Sequence, residues 1–103
     1  MYSIIETEAF SDWLNGLKDT VTRMRLIKRL QRAGLGNLGD VKPVGEGVYE
    51  MREFFGPGWR MYYVQQDGQL LVMLGGGEKS SQTEDIAAAK LMAARIKEDS
   101  HDS

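Results

Sequence analysis

Apolar residues recur every three or four positions in the first third of the chain, which is the stripe of an amphipathic helix. The pattern predicts one helix over 7–18 and a second over 20–33, with Thr7 as the N-cap of the first and Asp19 or Thr20 as that of the second. Because almost no linker separates the two helices, we expect them to form a hairpin. The stripes consist of Phe10, Trp13, Leu14 and Leu17 in the first helix and of Val21, Met24, Ile27 and Leu30 in the second.

Downstream of the helices the pattern changes to that of β-strands. The segments 48–54 and 59–64 are rich in aromatic residues and flank a Gly-Pro-Gly turn, which indicates a hairpin. The segment 69–74 follows an Asp-Gly turn and is almost continuously apolar, as in a central strand that is covered on both faces. A short β-prone segment, 2–5, precedes the helices and supplies a further strand.

Together these elements predict a single α+β domain in the order β-α-α-β-β-β-α. A capping box at 81–84 begins the C-terminal helix. We expect an antiparallel sheet of about four strands with the N-terminal helical hairpin on one face. The domain should span 1–97, and residues 98–103 should form a frayed acidic tail.

The alternation along the two aromatic strands predicts which side chains share a face of the sheet. The helical hairpin needs an apolar face to cover, so Met51, Met61 and Tyr63 should point towards it. Leu14 and Ile27 should be largely buried against them. The opposite face then carries an acid, two guanidinium groups and a phenol, which we call the polar platform: Glu50, Arg52, Arg60 and Tyr62.

The composition excludes several classes of protein and site. A chain of 103 residues with 42% hydrophobic and 27% charged residues suits one globular domain. The absence of cysteine excludes a disulfide scaffold and a thiolate metal site, and it fits the reducing cytoplasm. The single histidine, His101, lies near the end of the chain, which excludes a histidine triad in the folded body. We expect no metal and no cofactor, and no apolar run approaches the roughly 20 residues of a membrane span.

The formal net charge of -2 conceals a strong segregation of sign. The segment 20–36 carries five basic residues and no acid, whereas acids outnumber bases in the last 24 residues. A basic stripe of this kind can attract phosphate, so the segment is a candidate nucleic-acid interface, although a solvated helix face is the alternative. The candidate residues are Arg23, Arg25, Lys28, Arg29 and Arg32, together with Lys42 in the following segment.

Four blocks of the sequence carry a resemblance to a known family. They are WLNGLKD (13–19), RLQRAGLGNLGDVKPVGEGVYEMR (29–52), FFGPGWRMYY (54–63) and LGGGEKSSQTEDIAAA (74–89). In this order and spacing the blocks resemble the addiction-module killer proteins, a branch of the RelE/ParE superfamily of bacterial type II toxin–antitoxin systems. The resemblance implies a compact antiparallel sheet with a helical hairpin on one side. It also implies a helix-turn-helix antitoxin, encoded by an adjacent gene, that binds and silences the toxin.

The resemblance implies two activities that differ in their target. RelE-like members of the superfamily cut mRNA in the ribosomal A site, whereas ParE-like members poison DNA gyrase. We predict the first activity, a ribosome-dependent mRNA endoribonuclease that inhibits translation in the cytoplasm. A gyrase inhibitor, or a toxin-fold protein that acts mainly by binding its antitoxin, is the alternative, because a fold does not decide an activity.

The polar platform supplies the groups that RNA cleavage by the 2′-hydroxyl requires. Such cleavage needs a base, an acid for the leaving 5′-oxygen, and cations for the developing phosphorane charge. Glu50 is then the base, Tyr62 or Lys79 the acid, and Arg52 and Arg60 hold phosphate oxygens, which resembles the use of Arg, Lys and Tyr by RelE-like toxins. Each residue has a structural alternative: a cross-strand ion pair for the charged platform residues, core packing for the tyrosine and a solvated loop for the lysine.

Overall fold

A five-stranded sheet lies between two layers of helices in the computed structural model, which describes residues 1–101 and side chains through residue 99. The strands are β1 (Ser3–Glu6), β2 (Val41–Gly45), β3 (Val48–Glu53), β4 (Trp59–Gln66) and β5 (Leu70–Glu78). The helices are α1 (Glu8–Asn15), α2 (Thr20–Gly34) and α3 (Gln82–His101), and a 3-10 turn, Lys79–Ser81, joins β5 to α3. The predicted α+β class is confirmed.

The helices begin at the predicted caps. The Thr7 side chain accepts a hydrogen bond from the Phe10 amide at 3.2 Å, and the Asp19 side chain accepts one from the Val21 amide at 3.1 Å. Each bond satisfies a backbone donor that the first turn of a helix leaves unpaired. The two caps lie one residue outside α1 and α2.

The sheet has the strand order β1-β5-β4-β3-β2, which differs from the prediction at both edges. Strands β2 to β5 pair antiparallel, whereas β1 pairs parallel with β5. Strand β2 was not predicted, because Val-Lys-Pro-Val-Gly contains a proline and no aromatic residue. Pro43 is tolerated there because β2 is an edge strand.

The helical hairpin covers the face of the sheet that the alternation predicts. Met51, Met61 and Tyr63 are buried in one core cluster with residues of α1 and α2. Leu14 is buried there as predicted, whereas Ile27 is half-buried. Each fully buried side chain of this size stabilises the fold by about 1.5–3 kcal/mol.

Helix α2 buries a different stripe from the predicted one. Val21 and Met24 are exposed, and the buried positions include Thr22 and Arg29, two residues that a hydrophobic pattern assigns to the surface. The Thr22 hydroxyl donates to Asp19, and the Arg29 guanidinium bonds to groups outside the helix, so both polar side chains are satisfied inside the protein. The buried residues of α2 are Thr22, Leu26, Arg29, Leu30 and Ala33.

Helix α3 covers the other face of the sheet. Tyr62 and Val72 belong to a second core cluster that includes Ala89 of α3, so β5 is a central strand covered on both faces, as its apolar sequence predicts. The helix continues to His101, so residues 98–101 of the predicted tail are helical, while 102–103 lie outside the described residues. Within the described part of the chain, no helix combines the length and the apolar character of a membrane span.

The glycine run at the end of β5 lets α1 approach the sheet. A Cβ atom at Gly76 would overlap the ring of Trp13, whereas one at Gly75 would meet no atom within 4 Å. We expect Gly76→Ala to lower the free energy of unfolding by about 1–3 kcal/mol, because the ring must move away. The matched control Gly75→Ala should be neutral or stabilising by about 0.4–1 kcal/mol. Urea denaturation of both variants checks this, and equal losses would contradict it.

Candidate functional site

The polar platform occupies one face of β3 and β4, with its four residues in two directly opposed pairs. Glu50 faces Tyr62 and Arg52 faces Arg60 across the two strands. All four therefore share the face turned away from the helical hairpin, as the alternation predicts. The prediction did not include α3, which packs on the same face and whose first turn covers Glu50 and Tyr62.

Glu50 is held inside the protein by groups on two elements. Its side chain is 0% exposed. One carboxylate oxygen, Oε2, accepts a hydrogen bond from Nε2 of Gln82 at 2.9 Å, and the other, Oε1, lies 3.6 Å from Nε of Arg60. Glu50 therefore fixes both the start of α3 and the arginine beside it.

Tyr62 is also fully buried, and its hydroxyl has no hydrogen-bond partner among the described residues. Burial raises the pKa of the Tyr62 phenol well above its ordinary value, and the negative charges of Glu50 and Asp85 raise it further. The phenol therefore remains protonated at neutral pH. Its position beneath α3 keeps that proton away from solvent.

Arg60 is fixed at both sides of its guanidinium group. Its Nη1 donates to the Gly58 carbonyl oxygen at 2.9 Å, its Nε lies beside Glu50, and the residue is only 8% exposed. Gly58 has a φ of 81°, and a Cβ there would lie 3.1 Å from Arg60 Nη1 and 3.4 Å from Lys79 Cβ. The turn before β4 therefore brings Arg60 and the start of the 3-10 turn together.

Arg52, Arg60 and Lys79 lie at one end of the sheet, and we call them the cationic row. Arg60 pairs with Arg52 on one side and with Gly77 on the other, and Lys79 follows Gly77 by two residues. The Arg52 side chain is 30% exposed and its Nη2 donates to Asp40 Oδ1 at 3.1 Å, while Lys79 is exposed. The row thus consists of one rigid, nearly buried guanidinium group and two cations that are more accessible to solvent.

The basic residues of α2 differ in how far they are buried. Arg29 is 6% exposed and donates to the backbone carbonyls of Leu38, Asp40 and Arg52 and to the Glu53 carboxylate, so it is not available to a ligand. Arg23 is half-buried and its Nη1 donates to the Leu17 carbonyl. Of the predicted nucleic-acid contacts in this helix, the exposed ones are Arg25, Lys28 and Arg32.

Lys42 is separated from the helical group. It is exposed on the edge strand β2 and pairs with Glu50 in the strand register. Directly opposed residues share a face, so Lys42 stands on the α3 face of the sheet, whereas α2 covers the other. The structure therefore does not join all six predicted contacts into one surface.

Sequence reasoning missed the residues of the first turn of α3. The Ser81 hydroxyl donates to Asp85 Oδ2 at 2.6 Å, and Gln82 reaches Glu50, 32 residues earlier in the chain. The capping-box pattern at 81–84 indicated a helix start, and α3 does begin there, at Gln82. What the pattern did not indicate is the contact of Gln82 with the polar platform. The signal that the sequence offers for these contacts is the polar character of Gln82 and Asp85, at the start of a helix that follows the predicted polar face.

Solved structures of other bacterial proteins share the fold. A chain of the crystal structure of the intact E. coli RelBE toxin–antitoxin complex matches with a TM-score of 0.60 and 19% identity, over 76% of this chain and 96% of that chain. The solution structure of HP0894, a conserved hypothetical protein from Helicobacter pylori, matches with a TM-score of 0.51 and 19% identity, over 78% and 97% of the two chains. At this identity the likeness shows the fold alone, which is that of a RelE-like toxin.

Sequence comparison identifies a closer relative. No family model matches the chain. An uncharacterized protein from Haemophilus influenzae is 40% identical over 90 residues, which make up 87% of this chain and 91% of that protein. Identity at this level over most of both chains shows a common family. The chain therefore belongs to the same family as this Haemophilus influenzae protein.

Proposed function

We propose that this protein is an addiction-module killer protein, the toxin of a type II toxin–antitoxin system, and that it cleaves mRNA on the ribosome. The observation that carries the proposal is the cationic row. Arg52 and Arg60 stand directly opposite each other on neighbouring strands. Each guanidinium group has one carboxylate beside it, Asp40 for Arg52 and Glu50 for Arg60. With the exposed Lys79 the row holds three cations against these two carboxylates, and an excess of positive charge attracts an anion. In the proposed function this anion is a phosphate of RNA.

The row can stabilise the transition state of phosphodiester cleavage. A guanidinium group binds phosphate oxygens in a bidentate manner, and a rigid one loses little entropy when it does so. Arg60 is the rigid member, and Glu50 holds it in place rather than removing a proton, because that carboxylate is fully buried. The proton of the 2′-hydroxyl then passes to solvent water, and the 2′-oxygen bonds to phosphorus as the bond from phosphorus to the 5′-oxygen breaks. Lys79 is favoured over Tyr62 as the acid for the leaving oxygen, because the amine is exposed and the phenol is not.

The partner in this proposal is a small helix-turn-helix antitoxin from the adjacent gene, acting in the cytoplasm. The related fold in the RelBE complex belongs to a toxin–antitoxin pair, which supports a partner of that kind. The outer face of α2 offers a surface for the antitoxin, because the exposed Val21 and Met24 lie there beside three exposed basic side chains. An amphipathic segment with acidic residues would match that surface in both apolar character and charge.

A second candidate function is inhibition of DNA gyrase without chemistry of its own. The burial of Glu50 and Tyr62 favours it, because two of the five predicted catalytic groups do not reach solvent in this structure. A protein that acts only by binding needs no such access. The cationic row and the basic face of α2 would then contact the target.

A pair of assays separates the two functions. The purified protein is added to a translation extract that carries a defined mRNA, and cuts are mapped by primer extension, with the untranslated mRNA as the control. DNA supercoiling by gyrase is measured in parallel. We expect cuts that depend on translation and supercoiling that is unchanged. Loss of supercoiling without cuts would establish the gyrase function, and no effect in either assay would favour a protein that acts through its antitoxin complex.

A further inference from the structure

The turn between β3 and β4 exposes one aromatic ring and packs the next one. Phe54 is 74% exposed, whereas the adjacent Phe55 packs against the core under the helical hairpin. Moving a phenylalanine ring out of water lowers the free energy, so a ring held this far into solvent is available to a partner. We propose that Phe54 is a stacking site for an unpaired base of single-stranded RNA.

The turn presents the Phe54 ring on a rigid support. The Arg25 guanidinium lies over the Phe55 ring at 4.0 Å and ties the turn to α2. Gly56 and Gly58 adopt positive φ angles on either side of Pro57, and the Gly58 amide donates to the Phe55 carbonyl at 3.2 Å. A fixed backbone lowers the entropy that is lost when a ligand binds, which favours an isolated ring as a binding element.

The surroundings of the ring match a nucleotide better than an aliphatic side chain. The Arg52 guanidinium lies 5.5 Å from the Phe54 ring centroid, on one face, and the large exposed fraction leaves other ring surface open. Single-stranded nucleic acids bind where aromatic rings stack on bases and nearby cations meet phosphates. A base on Phe54 would place its phosphate beside cations of this end of the sheet.

The turn is joined directly to the cationic row. Arg60 donates to the Gly58 carbonyl, and Phe54 follows Arg52 by two residues. A base stacked on Phe54 therefore belongs to a nucleotide near the phosphate that Arg52 and Arg60 would hold. This inference rests on the proposed function, because RNA is the ligand in both, and it adds a contact that orients the strand across the row.

The test uses a ten-nucleotide single-stranded RNA that carries 2-aminopurine at its centre. Anisotropy gives its affinity, and quenching of 2-aminopurine reports stacking. Phe54→Leu keeps the apolar bulk and removes the aromatic face, so we expect affinity to fall about 5- to 100-fold and quenching to disappear. Phe54→Trp should retain both, and Leu91→Ala, at an exposed apolar residue of α3, is the matched control and should change neither.

The outcomes separate this inference from the proposed function. Wild-type affinity and quenching in Phe54→Leu would overturn the stacking site, as would an equal loss in Leu91→Ala. Loss of antitoxin binding by Phe54→Leu with RNA binding intact would overturn it too, since the ring would then contact a protein. Binding that depends on Phe54 in a protein that makes no cuts on the ribosome would overturn the nuclease and support the stacking site.

Discussion

Replacing Arg60 by alanine should abolish growth inhibition and lower mRNA cleavage on the ribosome by about 100- to 1,000-fold. The Gly58 carbonyl and the Glu50 carboxylate hold the guanidinium group from two sides, so it is aimed before the substrate arrives. The loss of one such preorganised contact to the developing charge typically costs about 3–4 kcal/mol of activation free energy. Single-turnover cleavage of a translated mRNA measures the effect.

The same substitution also affects stability, and the two effects can be separated. Arg60→Ala leaves the buried carboxylate of Glu50 without its cation, and breaking a buried ion pair costs about 3–5 kcal/mol. The double variant Arg60→Ala, Glu50→Gln removes the uncompensated charge and should recover most of that loss while cleavage stays low. Wild-type cleavage by the folded double variant would show that Arg60 has no part in the chemistry.

Two further variants define what Arg60 contributes. Arg60→Lys should restore only part of the activity, because an ammonium group cannot make the two-pronged contact of a guanidinium group. Arg95→Ala is the matched control, since it removes an exposed arginine of α3 and should leave cleavage unchanged. Equal activity of the lysine variant and the wild type would mean that charge alone suffices.

The features that sequence predicted well are those that depend on local periodicity. The alternation along 48–54 and 59–64 determined which side chains face the helical hairpin, because a slip of one residue would have turned Met51 and Met61 to the face that α3 covers. The caps of α1 and α2 could also be predicted from local sequence, because the hydrogen bond of a cap joins residues within one helical turn. The four residues of the polar platform were accordingly placed on one face.

The features that sequence could not predict depend on partners distant in the chain. No element was predicted to cover the polar platform, but Glu50 is buried beneath the first turn of α3 and accepts a hydrogen bond from Gln82, 32 residues later. Arg29 was assigned to a nucleic-acid surface with the other basic residues of its segment, but the groups that it bonds lie outside its own helix, at Leu38, Asp40, Arg52 and Glu53. No periodicity within α2 signals those contacts, since the acceptors are mostly backbone carbonyls that any residue could supply.

Arg29 should be among the most important single side chains for the stability of this fold. Its Nε and both Nη atoms donate to three backbone carbonyls, and its Nη1 also lies 2.7 Å from Glu53 Oε1. The backbone at Gly39 has a φ of 68° and passes so close that a Cβ there would lie 2.9 Å from the guanidinium carbon. The segment between α2 and β2 is therefore wrapped around this group and ties the helical hairpin to the sheet.

We expect Arg29→Ala to lower the free energy of unfolding by about 3–5 kcal/mol, because the buried acceptors and the Glu53 charge lose their partner. A domain of this size is stable by about 5–15 kcal/mol, so the substitution should remove a large fraction of the total stability. Arg29→Lys should recover little, since one ammonium group cannot reach acceptors arranged around a planar fork. Urea denaturation measures the change, with Arg32→Ala, an exposed arginine of the same helix, expected within about 0.5 kcal/mol of the wild type. Equal midpoints for Arg29→Ala and Arg32→Ala would show that the bonds around Arg29 contribute nothing net to the fold.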